Sequence, residues 1–258
     1  MNKNVELIRM NNIVKNFGSV QALNKVNFVV NRNEIVGLIG DNAAGKSTLM
    51  KTLVGVHHAD EGEIYVENKK VIIDNPRVAR DLGIGIIYQH SGLIENAGVV
   101  ENIFLGDEPS KPFLGRHIRI VDRKKMQEES YRVLDKVKST IKSLKTEVQY
   151  LSGGQQKTVA IGRAILRQHK LVIMDEPTAG LGVREVSKLL ELIKQLKSQG
   201  TSVIYITHRL EDLFAVVDRV VVLRVGTNAG ERKIEETTEE ELIKLMVGSI
   251  ASSGDKKN

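Results

Sequence analysis

The sequence predicts an α/β fold with a largely parallel central sheet, antiparallel strands at its N-terminal end and an inserted α-helical subdomain. Three observations predict it. Residues 40–48 form a glycine-rich loop between an apolar run and a helix-like run. Short runs of Val, Ile, Leu and Met at 171–174, 203–206 and 219–223 alternate with helix-periodic segments at 186–198 and 210–217, the pattern of parallel strands joined by crossover helices. Between Gln89 and about Arg167 the apolar spacing is helical, which marks an insertion between two parts of the sheet.

Residues 5–10 and 26–30 alternate apolar and polar in the manner of strands. Residues 34–39 read as a buried strand entering the glycine-rich loop, and residues 47–53 as the helix leaving it. Short strands are expected at 62–66 and 70–73, separated by Asn68 and Lys69, then a buried strand at 83–88. Within the insertion Tyr131, Leu134, Val137 and Ile141 share one helix face, and a further helix covers 158–166. A last helix at 239–247 follows Thr238, an N-cap with Glu241 placed to close a capping box. The expected division is a core of 1–88 and 168–250, a helical subdomain of 89–167 and a flexible tail of 251–258.

At 258 residues the chain can bury a sizeable core, and its 41% hydrophobic and 27% charged fractions are ordinary for a globular protein. It has no cysteine, which excludes disulfides, thiolate metal sites and cysteine nucleophiles. Met1 to Glu6 lacks the apolar centre of a signal peptide, and no apolar stretch approaches the ~20 residues of a membrane helix. The expected location is cytoplasmic, with any membrane attachment made through a partner. The net charge of +6 is concentrated in residues 116–145, where a solvated, lysine-rich helix face accounts for it. With aromatics at 4% there is no stacking platform for nucleic acid.

Gly40, Asp41, Asn42, Ala43, Ala44, Gly45, Lys46, Ser47 and Thr48 match the phosphate-binding pattern G-x-x-x-x-G-K-[ST]. The glycines let backbone N–H groups converge on a polyphosphate, Lys46 reaches the β/γ-phosphates and Ser47 ligates Mg²⁺. The helix that follows directs its dipole at the phosphates. A chance lysine in an ordinary strand–helix turn would not meet every position of the pattern in this context. The chain is therefore expected to bind a nucleoside triphosphate. Far downstream, the apolar run 171–174 enters Asp175 and Glu176, at the strand end where open α/β sheets place ligands. Asp175 is expected to hold Mg²⁺ through a water, and Glu176 to polarise the attacking water. Ser152, Gly153, Gly154 and Gln155 begin a helix and form a backbone nest suited to an anion. Taken alone, the same residues describe an ordinary N-capped helix.

Together, the phosphate loop, the lone Gln89 after a strand, Leu151-Ser152-Gly153-Gly154-Gln155, strand-Asp175-Glu176 and strand-His208 resemble the ATPase subunits of ABC transporters. The motifs occur in that family's order and cover the chain from Phe17 to about Gly248. The resemblance implies a P-loop NTPase (RecA-like) core that uses ATP and Mg²⁺. It further implies that Gln89 follows the site's water and Mg²⁺ while its loop touches a membrane partner. His208 would contact the γ-phosphate, and Phe17 would stack on adenine where a tyrosine is usual. His57, His58, His117 and His169 are expected at the surface. Two such domains would pack head to tail, with Ser152 and Gly154 of one capping the γ-phosphate held by Lys46 of the other.

Three positions depart from the family pattern: Ala43 replaces a glycine, His90 replaces a frequent acidic residue, and residues 178–182 end in Gly182 where aspartate is usual. The last, with residues 85–89, 100–106, 207–212 and 240–248, resembles the monosaccharide importer branch. That implies ATP-driven sugar uptake through a separate permease fed by a sugar-binding protein, with no direct contact between sugar and this chain. Since one phosphate loop and one signature are present, two copies or a copy and a paralogue must pair. A transporter of another solute, and a soluble ABC ATPase acting on DNA or ribosomes, are the alternatives. The latter is disfavoured by the lack of a coiled-coil insertion, zinc cysteines or a tandem domain.

Overall fold

The computed structural model describes residues 5–88, 92–113 and 118–248. Gln89, His90, His117 and the tail 251–258 lie outside the described residues. The chain divides into two compact units, Met1–Ile86 with Lys170–Glu176 and Ile193–Asn258, and Ile87–His169 with Pro177–Leu192. The segment Pro177–Leu192, placed in the core by the sequence-based division, groups with the second unit.

In the first unit β1 (Glu6–Phe17), β2 (Val20–Asn31), β4 (Glu61–Val66) and β5 (Lys69–Val71) form an antiparallel sheet in the order β2-β1-β4-β5. Buried positions alternate at Ile8 and Met10 of β1 and at Val26, Phe28 and Val30 of β2, so one face enters the core, and a register shift between Met10 and Ile13 interrupts the alternation. The second sheet comprises β3 (Ile35–Ile39), β6 (Ile84–Ile87), β9 (Leu171–Asp175), β10 (Ser202–Ile206), β11 (Arg219–Arg224) and β12 (Thr227–Lys233). Its order is β12-β11-β3-β10-β9-β6, with β11, β3, β10 and β9 parallel. Every residue of β3 and β10 is buried, as strands covered on both faces require. The helices α1 (Lys46–Leu53), α2 (Pro76–Asp81), α7 (Leu210–Val216) and α8 (Glu239–Val247) complete this unit.

The second unit contains α3 (Val99–Phe104), α4 (Arg123–Lys136) and α5 (Gly153–Leu166), around a core that includes Ile103, Met126, Leu134, Val148 and Val159. Asn102 is buried at its centre. The side chain accepts the Ile94 N–H at 2.7 Å and donates to the carbonyls of Ile94, Ala97 and Gly98, so its buried polar atoms are matched to the backbone of 94–98. The long helix α6 (Val183–Ser198) crosses the division between Leu192 and Ile193.

Several expectations are corrected. The insertion is not wholly helical: β7 (Ser110–Phe113) and β8 (Ile118–Val121) pair as a two-stranded sheet with every residue exposed. β5 stops at Val71, leaving Ile72 exposed. Tyr131 points outward, and Ile141 lies beyond the end of α4. His169 is buried rather than at the surface, and His57 is half-buried. Thr238 caps α8 by accepting the Glu241 N–H, but the Glu241 carboxylate bonds Arg232 and Thr237 instead of closing the box. A guanidinium offers the carboxylate an opposite full charge as well as a hydrogen bond, which the cap N–H does not.

Candidate functional site

The phosphate loop runs from the end of β3 to the start of α1, as its residues dictate. Gly40 (φ 153°) and Gly45 (φ 100°) lie in backbone regions that favour glycine. A Cβ on Gly40 would stand 2.2 Å from the Leu223 carbonyl oxygen, and one on Gly45 would stand 2.8 Å from Leu23 and 2.9 Å from the Ala22 oxygen. Neither position accepts a side chain. Gly45 is the N-cap of α1 and contributes no side-chain bond, so the first-turn N–H groups keep their capacity for an anion. Lys46 Nζ donates to the carbonyls of Gly40 at 2.7 Å and Asp41 at 2.9 Å, folding over the loop. Burial pulls its ammonium below the ordinary lysine value, while Glu176, Asp175 and Asp41 act in the opposite sense. Asp41, Asn42, Ala43 and Ser47 are exposed, whereas Ala44 is buried.

Strand register builds the acidic side. β9 pairs in parallel with β10 so that Asp175 lies opposite Ile206. The next residues, Glu176 and Thr207, therefore leave the two strands together. Glu176 adopts φ 47° and donates its N–H to the Ile206 carbonyl at 2.9 Å. Its Oε1 stands 2.9 Å from His208 Nδ1, and its Oε2 accepts from Thr207 Oγ1 at 3.5 Å. The glutamate side chain is largely buried while the histidine is open to solvent. Burial and then Glu176 push the Asp175 carboxyl up from its ordinary value, against the pull of Lys46 and Lys51. The first unit thus brings together Lys46, Asp175, Glu176 and His208. The direct Glu176–His208 contact was not expected, although adjacent parallel strands ending at Asp175 and Ile206 are its sequence signal.

For a metal, the donors available are the Asp175 carboxylate and the Ser47 hydroxyl. Among the described residues no three His, Cys, Asp or Glu side chains form a metal cage. This sparse oxygen set suits Mg²⁺, which retains waters and takes phosphate oxygens, better than an ion bound wholly by protein. Gln89, expected at the same ion, lies outside the described residues. Phe17 ends β1 with its ring partly exposed.

In the second unit Ser152 is the N-cap of α5. Its Oγ accepts the Gln155 N–H at 3.3 Å, and Gln155 Oε1 accepts the Ser152 N–H at 3.0 Å, a complete capping box. The Gln155 side chain thereby closes the helix start through Oε1, while its amide nitrogen donates to Thr140 Oγ1 at 3.4 Å. A Cβ on Gly153 would meet open space, but one on Gly154 would stand 2.4 Å from Glu185 Oε1. The same carboxylate accepts the Gly182 N–H at 2.9 Å. Glu185 thus serves the start of α6, where the usual aspartate is missing.

A family model described as ABC transporter matches residues 23–179. The xylose/arabinose import ATP-binding protein of Sulfolobus acidocaldarius is 43% identical over 242 residues, covering 93% of this chain and 94% of that protein. The ribose import ATP-binding protein of Caldanaerobacter subterraneus subsp. tengcongensis is 40% identical over 242 residues, covering 94% of this chain and 48% of that protein. The chain spans about half the length of the ribose relatives. Among solved structures, the ADP conformation of an ATP-binding cassette of an ABC transporter matches with a TM-score of 0.80 at 29% identity. That match covers 95% of this chain and 100% of the cassette. A dimeric cassette in a post-hydrolysis state, bound to ADP and Pi, matches with a TM-score of 0.75 at 25% identity over 88% of this chain and 99% of its own. The chain belongs to the ABC transporter family, as one of its ATP-binding, ATP-hydrolysing cassettes.

Proposed function

We propose that residues 1–250 form a single ATPase cassette that powers import of a small sugar, such as a pentose, through a separate membrane permease. Two cassettes, identical or paralogous, would close head to tail on ATP at the inner face of the membrane, the permease receiving sugar from a binding protein. The sugar-import names of the relatives support the cargo class. No helix among the described residues is long and apolar enough to cross a membrane, which agrees with attachment through the permease.

The observation that carries the catalytic reading is the Glu176–His208 pair, 2.9 Å apart at the strand ends next to Asp175. Glu176 would take the proton of the attacking water, and His208, released from Glu176, would turn to the γ-phosphate. Thr207 and the Ile206 carbonyl hold the glutamate in place. Lys46, poised over Gly40 and Asp41, would exchange their carbonyls for β/γ-phosphate oxygens, and Asp41 to Thr48 would wrap the triphosphate with N–H donors. Mg²⁺, held by Ser47, Asp175 and Gln89, would neutralise developing charge on the phosphates. Ser152, Gly153 and Gly154 of the opposite cassette would cap the γ-phosphate with an already ordered helix start, and Gln155 would keep that start ordered.

The test is turnover against protein concentration. ATPase activity should rise more than linearly with concentration and rise further on adding permease with sugar-loaded binding protein. Activity strictly proportional to concentration, or stimulated by DNA or ribosomes and by no permease, would overturn the proposal.

A further inference from the structure

The partly exposed Phe17 ring is met from two sides by residues outside the catalytic machinery. His57 meets it edge-on, with centroids 5.0 Å apart and planes at 76°. Lys15 Nζ stands over the ring, 5.5 Å from its centroid. The Lys15 ammonium is itself fixed, donating to Asp60 Oδ1 at 2.8 Å, and Asp60 Oδ2 accepts the Asn16 N–H at 2.5 Å. The Asp60 N–H donates to the Val14 carbonyl at 2.9 Å. One residue just before β4 therefore grips the backbone at 14 and 16 and the side chain at 15, immediately ahead of Phe17. A cation attracted to a ring face both orients the ring and occupies that face. An aromatic side chain that would otherwise sample several rotamers at the surface is fixed before any ligand arrives, which lowers the ordering cost of binding.

We propose that Asp60 and Lys15 are positioning residues for nucleotide binding, presetting Phe17 as a platform whose face opposite the Lys15 ammonium receives the adenine. The inference rests on the reading of Phe17 as the stacking residue. It assigns the platform's order to an ion pair and a backbone clamp, with His57 as the lateral stop.

Titrations with ATP and, separately, with inorganic tripolyphosphate test it, because the second ligand engages the phosphate loop but has no base. Phe17→Ala should weaken ATP binding roughly 5- to 150-fold, the range of base–aromatic stacking. Asp60→Ala and Lys15→Gln should each weaken it about 3- to 10-fold and raise KM with kcat retained. Asp60→Asn, which keeps an acceptor for the Asn16 N–H, should lose less than Asp60→Ala. Tripolyphosphate binding should stay unchanged in all of them. Because Asp60 acts through Phe17, adding Asp60→Ala to Phe17→Ala should cost nothing more. If Phe17→Ala weakens ATP while Asp60→Ala and Lys15→Gln do not, the positioning role is overturned and stacking stands. If Phe17→Ala leaves ATP binding unchanged, the stacking reading falls and the inference with it. Equal losses for ATP and tripolyphosphate would show general damage to the unit and overturn the inference too.

Discussion

Ala43 sits in the phosphate loop at φ 62°, a left-handed conformation that costs a residue with a side chain roughly 1–2 kcal/mol. Glycine removes that cost but returns roughly 0.4–1 kcal/mol through the greater freedom of the unfolded chain. Ala43→Gly should therefore stabilise the protein by roughly 0–1.5 kcal/mol in denaturant unfolding. A clear loss of stability would show that the Ala43 methyl makes a contact that outweighs its backbone strain. Asp60 supports a pH prediction. The Lys15 ammonium and then the Asn16 N–H hold its carboxyl below the ordinary carboxylate value. The folded state therefore releases this proton more readily than the unfolded chain. The order Asp60 imposes is fully present above the ordinary value and is lost as pH falls through the lower, folded value. Exchange protection of the Asn16 amide should hold from pH 7 to about 4 and decline below it. Asp60→Asn should show no such decline, and an identical decline in that variant would assign the effect elsewhere. Lys46, Asp175 and Glu176 stand out as candidates in the sequence because each sits in its own local motif. The Glu176–His208 contact was hidden because it depends on the register between β9 and β10, across 32 residues of chain.

Elements with strong, continuous patterns were legible: β3, β9, β10 and β11 are apolar runs, and α6 and α8 show clear helical periodicity. β7, β8 and β12 were not. β12 reads Thr-Asn-Ala-Gly-Glu-Arg-Lys, without alternation, and sits at the edge of its sheet, where pairing with β11 rather than burial defines it. β7 contains Pro112 and buries nothing. α2 was also missed, although Asn75 before Pro76 is an N-cap followed by proline at the first helical position, and Asn75 does accept from Arg77 and Val78. The turn before α3 depends on the Asn102 side chain. Asn102→Ala would leave the Ile94 N–H without its acceptor, while the carbonyls of Ile94, Ala97 and Gly98 keep the backbone donors of Ala97, Val148 and Asn102. Each group left unsatisfied costs about 1–3 kcal/mol, so a loss of at least that size is expected. Hydrogen exchange should show it in residues 94–104 of the second unit. Unchanged exchange there would mean that water replaces the amide at little cost.

The whole chain carries one phosphate loop, in the first compact unit, and one Ser-Gly-Gly segment, in the second. Each half of the chemistry has its own supports: strand register for Glu176, backbone carbonyls for Lys46 and a capping box for Ser152. The motifs single out both segments as candidates from residue type and order alone. They did not indicate that Gln155 also reaches Thr140, or that Glu185 serves both Gly182 and the surroundings of Gly154. Those contacts depend on the second unit's tertiary packing. In the proposed function two chains complete a site in which Glu176 performs the hydrolytic proton transfer. Glu176→Gln removes the carboxylate while keeping its size, and general-base contributions run about 10²–10⁴-fold. The most direct measurement is light scattering of Glu176→Gln with Mg²⁺ and saturating ATP, beside its turnover. Turnover should fall within that range, and a species of twice the monomer mass should appear only with ATP and disappear on adding Ser152→Arg. Near-normal turnover, or a monomer at every ATP concentration, would contradict the proposed function.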